Sequence, residues 1–290
     1  MVRHPFYIVD VFTGCKYAGN QLAVIGNALD LSDGDMQKIA REMNFSETTF
    51  ISGETHGGAH DVRIFTPEEE LSFAGHPTLG TAFVLRSENN GPIEAITLNL
   101  KVGPIEVKFN DRDGTAWMGP IEPEPGRIYV PSAVAEVLGI KVDDIDTRYP
   151  LQCMSIGFTD LIVPLRTLDC LKNIRVDAAA HRAFMKGAGI CNIMVFCPET
   201  RDSENDLSAR VFTGYFGLPE DPATGSTNAC LAAYLSIHSY FGSKKVDARV
   251  EQGYDMGRPS LLMLHADEDG DGAKVFIGGK IMMIVKGELA

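Results

Sequence analysis

The chain has 290 residues, 44% of them apolar and 22% charged, and a formal net charge of −13 at pH 7. At roughly 150 residues per domain, this length predicts two domains with ample material for packed cores. The acidic excess argues against a nucleic-acid partner and against adhesion to an anionic membrane, since both call for clustered Lys and Arg, but it leaves room for a small anionic substrate at a locally positive site.

The stretch Met1–Asp10 lacks the basic-then-apolar layout of a signal peptide, and no apolar run reaches membrane-spanning length. Phe6–Phe12 and Leu22–Ile25 read as strands on either side of a glycine-rich loop, Gly14–Gln21. Ser32 is then placed to cap a helix, with Asp35 at the capping-box position and Met36, Ile39, Ala40 and Met43 on one apolar stripe. Ile105–Phe109 and Thr115–Met118 predict a hairpin about the turn 110–114. The proline-rich stretch Pro120–Pro131 is the most linker-like part of the chain. It sets expected domains at 1–119 and 128–278 with 120–127 as linker. Six cysteines (Cys15, Cys153, Cys170, Cys191, Cys197 and Cys230) form no C-x-x-C pair and read as reduced, mostly buried thiols, so a cytoplasmic setting is expected.

The two sides of that boundary repeat one order. Arg63-Ile-Phe-Thr66 is echoed by Arg210-Val-Phe-Thr213, and downstream of each comes a Gly-X pair, Gly75-His76 and Gly225-Ser226. Each pair opens a short helix that is apolar nearly all round, through Leu79, Ala82 and Phe83 in one and Ala229, Leu231 and Ala232 in the other. A helix apolar on every face must be surrounded, and strands flank both. The expected class is therefore α+β, with two pseudo-symmetric β-barrel-like domains, each enclosing a central helix. A cleft between two such halves is the expected ligand site.

His76 is expected to cap the first of these helices, with Pro77 at its first helical position, and Ser226 or Thr227 to cap the second. Two buried helix N-termini offer backbone N–H groups to a carboxylate. A capping Ser is ordinary, whereas a capping His beside Gly in a buried site is not, so His76 leans towards function. Asp221 before Pro222 is accounted for as a turn former, and residue by residue Glu47 reads like any solvated carboxylate at a strand end. Asp267–Gly272 begins like a calcium loop but has Gly278 where the ligating Glu belongs, so it reads as an acidic hairpin turn. His56 and His60 flank Gly57-Gly58 in a loop, which opposes the helical spacing a metal pair needs. Gly187-Ala-Gly189 lacks the third glycine of a dinucleotide fingerprint. No metal and no nucleotide cofactor is expected.

Six segments in series carry a resemblance across nearly the whole chain. They are Asp10-Val-Phe-Thr13 with Gly19-Asn20, Ser46-Glu47-Thr48, Phe73-Ala-Gly-His-Pro-Thr78, Glu220-Asp-Pro-Ala-Thr-Gly-Ser226, Glu251-Gln-Gly253 and Gly257-Arg-Pro-Ser260. Together they resemble the PhzF-like (phenazine biosynthesis-like) proteins. The resemblance implies a diaminopimelate-epimerase-like fold and a homodimer, and on this reading residues 279–290 complete the first half. It implies a general acid/base at Glu47, with His76 and Asp221 shaping and polarising the site. Gly75, Gly225 and Ser226 fall on substrate-holding positions, and Asn20 joins them. Gln21, Ser72 and Thr213-Gly214 depart from the family pattern at positions outside Glu47, His76 and Asp221.

The chemistry so implied is a cofactor-free isomerisation of a small unsaturated carboxylic acid akin to trans-2,3-dihydro-3-hydroxyanthranilate, in which one carboxyl group moves a proton between two carbons. His76 would donate to the substrate or switch its protonation state. Two other readings stand beside this one. A two-base racemase or epimerase would typically use one thiol per half, but the helix starts carry His76 and Ser226, with Cys230 a turn inside. A binding protein of the same fold would use the site without turnover.

Overall fold

The computed structural model describes residues 3–55, 58–89, 93–213, 219–269 and 272–289. His56 of the loop pair, Gly214 of the family departures and the tip of the acidic turn at Gly270 and Asp271 lie outside the described residues. In chain order the elements are β1 (His4–Val11), β2 (Asn20–Ile25), α1 (Asp33–Met43), β3 (Glu47–Glu54), β4 (His60–Phe65), β5 (Glu70–Leu71), α2 (Gly75–Glu88), β6 (Ala95–Leu100), β7 (Gly103–Asn110) and β8 (Thr115–Ile121). They continue as β9 (Glu124–Tyr129), α3 (Pro131–Leu138), β10 (Leu151–Ser155), β11 (Thr159–Pro164), α4 (Leu168–Lys172), α5 (Ala178–Ala188), β12 (Asn192–Cys197) and β13 (Leu207–Thr213). The last are β14 (Glu220–Asp221), α6 (Gly225–Ile237), β15 (Val246–Gln252), β16 (Ser260–Asp269) and β17 (Gly272–Leu289). Among the described residues no helix is long and apolar enough to cross a membrane.

The chain divides into two compact units, Met1–Gly119 with Gly278–Ala290, and Pro120–Ile277. In the first, β1–β2 is antiparallel, β2–β3 parallel, β3–β4 antiparallel, β4–β6 parallel, and β6–β7 and β7–β8 antiparallel, with the short β5 laid against β4. Strand β17 pairs with β1, from His4 opposite Leu289 to Val11 opposite Ile281, and also with β8. These pairings close a mixed barrel of eight strands: β1, β2, β3, β4, β6, β7, β8 and β17.

Helix α2 has no solvent-facing stripe. Every residue from Gly75 to Ala82 is buried, and the helix packs on β1, β2, β3, β6 and β7. Close approach explains the glycine in its second turn: a Cβ on Gly80 would stand 2.6 Å from Leu22 Cδ2 and 3.0 Å from Val11 Cγ2. A buried hydroxyl pair, Thr49 Oγ1 to Thr81 Oγ1 at 2.8 Å, fixes the helix against β3. Outside the strands lies α1, capped by Ser32 as its sequence predicts. Its Met36 and Ala40 pack on Phe50 and Phe65, whose rings meet edge to face at 5.4 Å. Strand β3 is thus covered on both sides, which is why Thr48–Ile51 is buried without alternation.

The second unit has its own run of pairings: β10–β11 antiparallel, β11–β12 parallel, β12–β13 antiparallel, β13–β14 antiparallel, β13–β15 parallel and β15–β16 antiparallel. Helix α6, buried from Gly225 to Ser236, packs on β10, β11, β15 and β16. A second core cluster, including Val134, Leu138, Leu171, Met185, Ile193 and Val195, joins α3, α4 and α5 to β12.

The stretch read as a linker is mostly strand. Residues 124–129 form β9, which pairs antiparallel with β10, and α3 begins at Pro131. Proline is tolerated in β9 because the ladder shifts register between Gln152 and Met154, beside Pro125.

Gly278 on β17 is held to glycine by the only tryptophan in the chain, since a Cβ there would lie 2.3 Å from Trp117 Cδ2. The ring is itself fixed by an Nε1 bond to Thr115 Oγ1 at 2.9 Å. Gly278→Ala is expected to destabilise the protein by about 1–3 kcal/mol through overpacking. Urea unfolding followed by tryptophan fluorescence checks this, and the native emission of the variant should also shift.

Candidate active site

The repeated arginines prepare both helix starts. Arg63 on β4 holds Glu70 of β5 through two bonds of 2.7 Å, and Arg210 on β13 holds Glu220 of β14 at 2.9 and 2.8 Å. Paired bonds of this kind fix direction as well as distance. They pin each two-residue strand, so the chain turns at a set place into Gly75 or Gly225. Hydrogen bonding to Arg63 keeps the Glu70 carboxyl below its ordinary range, ahead of the opposing effect of burial.

The helices start earlier than their sequences suggest. The N-caps are Ala74 and Thr224, so His76 and Ser226 are the second helical residues and Pro77 the third rather than the first. Glycine at the first position bends into the helix without strain, and Pro77 costs nothing because the first-turn N–H groups have no intrahelical partner. At neither helix does the N-cap side chain accept a hydrogen bond from that turn. The backbone donors there are directed at whatever faces the helix start.

In the first unit, three predicted site residues meet. Glu47 opens β3 with its side chain 14% exposed, and its Oε2 lies 3.3 Å from Nε2 of the buried His76. The pair is within ion-pair reach without being aligned as a hydrogen bond. On the other side of the ring, Asn20 Nδ2 stands 3.3 Å from His76 Nδ1, and Asn20 is itself buried at the start of β2. Burial drives the His76 pKa down from 6.5 to about 3, against a smaller opposing effect of a hydrogen bond to the Gln21 backbone. His76 is therefore a neutral imidazole at physiological pH. Desolvation of the ring opposes a protonation switch, one of the roles expected from sequence.

In the second unit, Asp221, Gly225 and Ser226 lie along one buried turn. Thr224 Oγ1 donates to Asp221 Oδ2 at 2.5 Å, and Gln252 reaches the same turn from β15. Sequence reasoning misses a further group here. Asp160 on β11 is wholly buried and accepts from Thr227 Oγ1 at 2.7 Å and Asn192 Nδ2 at 2.9 Å. Burial pushes its carboxyl up to about 7, outweighing these donors. The available signal is a carboxylate against the apolar run 161–165, which looks like any strand end. Among the described residues, no group of three His, Cys, Asp or Glu is placed to hold a metal ion.

This chain matches the profile of the phenazine biosynthesis-like protein family (PhzC-PhzF) over residues 9–287. It is 32% identical to an uncharacterized isomerase of Pasteurella multocida, over 100% of this chain and 95% of that protein. It is also 32% identical to the trans-2,3-dihydro-3-hydroxyanthranilate isomerase of Pseudomonas fluorescens, over 91% of each. A crystal structure of a PhzF-family protein of Bacillus anthracis superposes with a TM-score of 0.91 at 24% identity, covering 100% of both chains. A hydroxyproline epimerase of Agrobacterium vitis shares the fold at a TM-score of 0.63 and 11% identity, over 99% of this chain and 91% of that one. These neighbours assign the diaminopimelate-epimerase-like fold.

His76 and Asp160 pull the pH dependence of stability in opposite directions. His76 binds its proton more weakly folded than unfolded, so its contribution is complete above pH 6.5 and is lost as the pH falls towards 3. Asp160 binds its proton more tightly folded, so its contribution is complete below 3.8 and is lost as the pH rises through about 7. The test is urea unfolding of wild type and His76→Gln at pH 7.5 and pH 5. The variant is expected to lose less stability than wild type between the two, and equal losses would show that His76 is not held neutral.

Proposed function

This chain belongs to the phenazine biosynthesis-like family of isomerases, and from that footing we propose that it moves a proton, and with it a double bond, in a small unsaturated carboxylic acid of the trans-2,3-dihydro-3-hydroxyanthranilate type. The observation that carries the reading is the pairing of Glu47 with a buried, neutral His76 at the buried start of α2. The Glu47 carboxylate takes a proton from the carbon flanked by the conjugated system. The electron pair left behind moves through that system, and the same carboxyl returns its proton to another carbon. No net oxidation occurs, so the chemistry requires no redox partner. A neutral imidazole supports this exchange because it can orient Glu47 or substrate by one hydrogen bond without placing a fixed positive charge beside the base.

The substrate carboxylate is assigned to the helix starts, where first-turn N–H groups and Ser226 Oγ supply donors. Asp221 is assigned to a polar or cationic group of the substrate. We read the matching order of strand pairings as a duplication. On that reading, Asn192, first residue of β12, corresponds to Glu47, first residue of β3, and Ser226 corresponds to His76. The second unit then holds no base at those positions. Burial also keeps the Cys230 thiol protonated, with its pKa raised well above 9.0. Both points favour one shuttling carboxyl over two opposed bases.

The test uses trans-2,3-dihydro-3-hydroxyanthranilate and related dienyl acids with wild type, Glu47→Gln and Ser226→Ala. The amide of Glu47→Gln is nearly isosteric but cannot exchange a proton, so turnover should fall by about 10²–10⁴-fold or more while binding persists. Ser226→Ala should raise KM and leave kcat within a few-fold, because it removes one donor among several. Turnover by Glu47→Gln close to wild type would remove Glu47 from the reaction.

A further inference from the structure

Gln252 at the end of β15 is buried, and its side-chain amide makes four hydrogen bonds to one short stretch of chain. Its Nε2 donates to the Asp221 carbonyl at 2.8 Å and to Thr224 Oγ1 at 3.2 Å. Its Oε1 accepts from Asn228 Nδ2 at 2.9 Å and from the Thr224 backbone N–H at 3.3 Å. Two of these partners are backbone groups whose roles are fixed: a carbonyl can only accept and an N–H can only donate. The orientation of the amide therefore follows from chemistry.

That orientation has a consequence for Thr224. A threonine hydroxyl has one proton. With the Gln252 N–H directed at its oxygen, the proton is left to point at Asp221 Oδ2, 2.5 Å away. We propose that Gln252 is a positioning residue for Asp221: it sets the direction of the Thr224 hydroxyl and so holds Asp221 as a hydrogen-bond-accepting carboxylate. The inference rests on the proposed role of Asp221 for its functional meaning, while the geometry stands apart from that role.

The residues on either side of Gln252 keep it in place. Glu251 accepts from the backbone N–H groups of Arg201 and Asp202 at 2.9 and 2.8 Å, and from Asn205 Nδ2 and Ser208 Oγ at 2.9 Å each. Gly253, at φ +77, lets the Pro222 carbonyl approach to where a Cβ would stand 2.5 Å away. Glu251 thus ties β15 to the 201–208 stretch, while Gln252 and Gly253 hold the β14–α6 turn. Of the charged groups on the elements around Asp221, Glu220 pairs with Arg210 on β13, Glu251 on β15 accepts from the 201–208 stretch, and Asp255 pairs with Arg201. Arg258 closes the set, its backbone carbonyl packed at Gly253.

The experiment reads the ionisation of Asp221 directly and needs no substrate. Protein labelled with ¹³C at the aspartate side-chain carboxyl is titrated by NMR, and the Asp221 signal is assigned by its loss in Asp221→Asn. Removing a donor to the charged form should raise the titration point by about one pH unit in Thr224→Val. Gln252→Met, in which the hydroxyl is released to rotate, should move it in the same direction by less, and Thr224→Ser should restore the wild-type curve. An unmoved Asp221 signal in Thr224→Val overturns the proposal, as does a signal unmoved in a folded Gln252→Met; if Gln252→Met does not fold, the two Thr224 variants decide. Turnover of Asp221→Asn separates the two readings. Full activity there would remove Asp221 from the reaction without touching the titration result, whereas loss of activity with unmoved titrations would sink only the role of Gln252.

Discussion

A helix start enclosed by strands has to be satisfied from within the protein, and the starts of α2 and α6 are organised around that requirement. Thr78 and Asn228, each in the first turn, return a side-chain bond to the carbonyls of Ala74 and Thr224. At its far end α2 reaches solvent, and there Asn89 Nδ2 donates to the Leu85 carbonyl. First-turn N–H groups have no partner within their own helix, so the enclosure of these starts also bears on where an anion can be bound.

Burial acts on the titratable groups at these starts with one rule and two outcomes. It favours the uncharged form of each, which for His76 is the free base and for Asp160 the free acid. Carboxylates that must stay charged are treated differently. Glu70 and Glu220 each face an arginine fork, and Glu251 is ringed by four donors. Glu47, at a strand end and part-exposed, lies beside the ring of His76.

Much of the fold is visible in the pattern of residues. The all-round apolar stretches after Gly75 and Gly225 announce enclosed helices, and the cap at Ser32 is where the sequence places it. The echo of Arg63 in Arg210 is also legible, although its meaning is not, because the partners Glu70 and Glu220 lie across a turn. Helix starts are read late at His76 and Ser226 because cap propensity favours a side-chain acceptor, whereas here glycine opens each helix without one. Of the site, His76 is suggested by its oddity at a buried helix start. Glu47 gains its interest from family resemblance, since nothing in its neighbours along the chain distinguishes it. Asp160 and Gln252 are silent in sequence, because what matters about each is the set of partners that register brings together: Asn192 opposite Asp160, and the Asp221–Asn228 turn beside Gln252.

The pairing of β1 with the end of β17 carries a consequence for how the molecule is made. His4 lies opposite Leu289, so the barrel of the first unit is closed by strands from opposite ends of the sequence. During synthesis from the N-terminus, residues 4–119 emerge long before their last partner strand, with β1 presenting one unpaired edge. The second unit, continuous from Pro120 to Ile277, has all its residues available sooner. Loop closure over nearly the whole chain is the slow step for such a topology. The unit made later thus has its residues contiguous, while the one made earlier depends on a strand that follows the whole of the other.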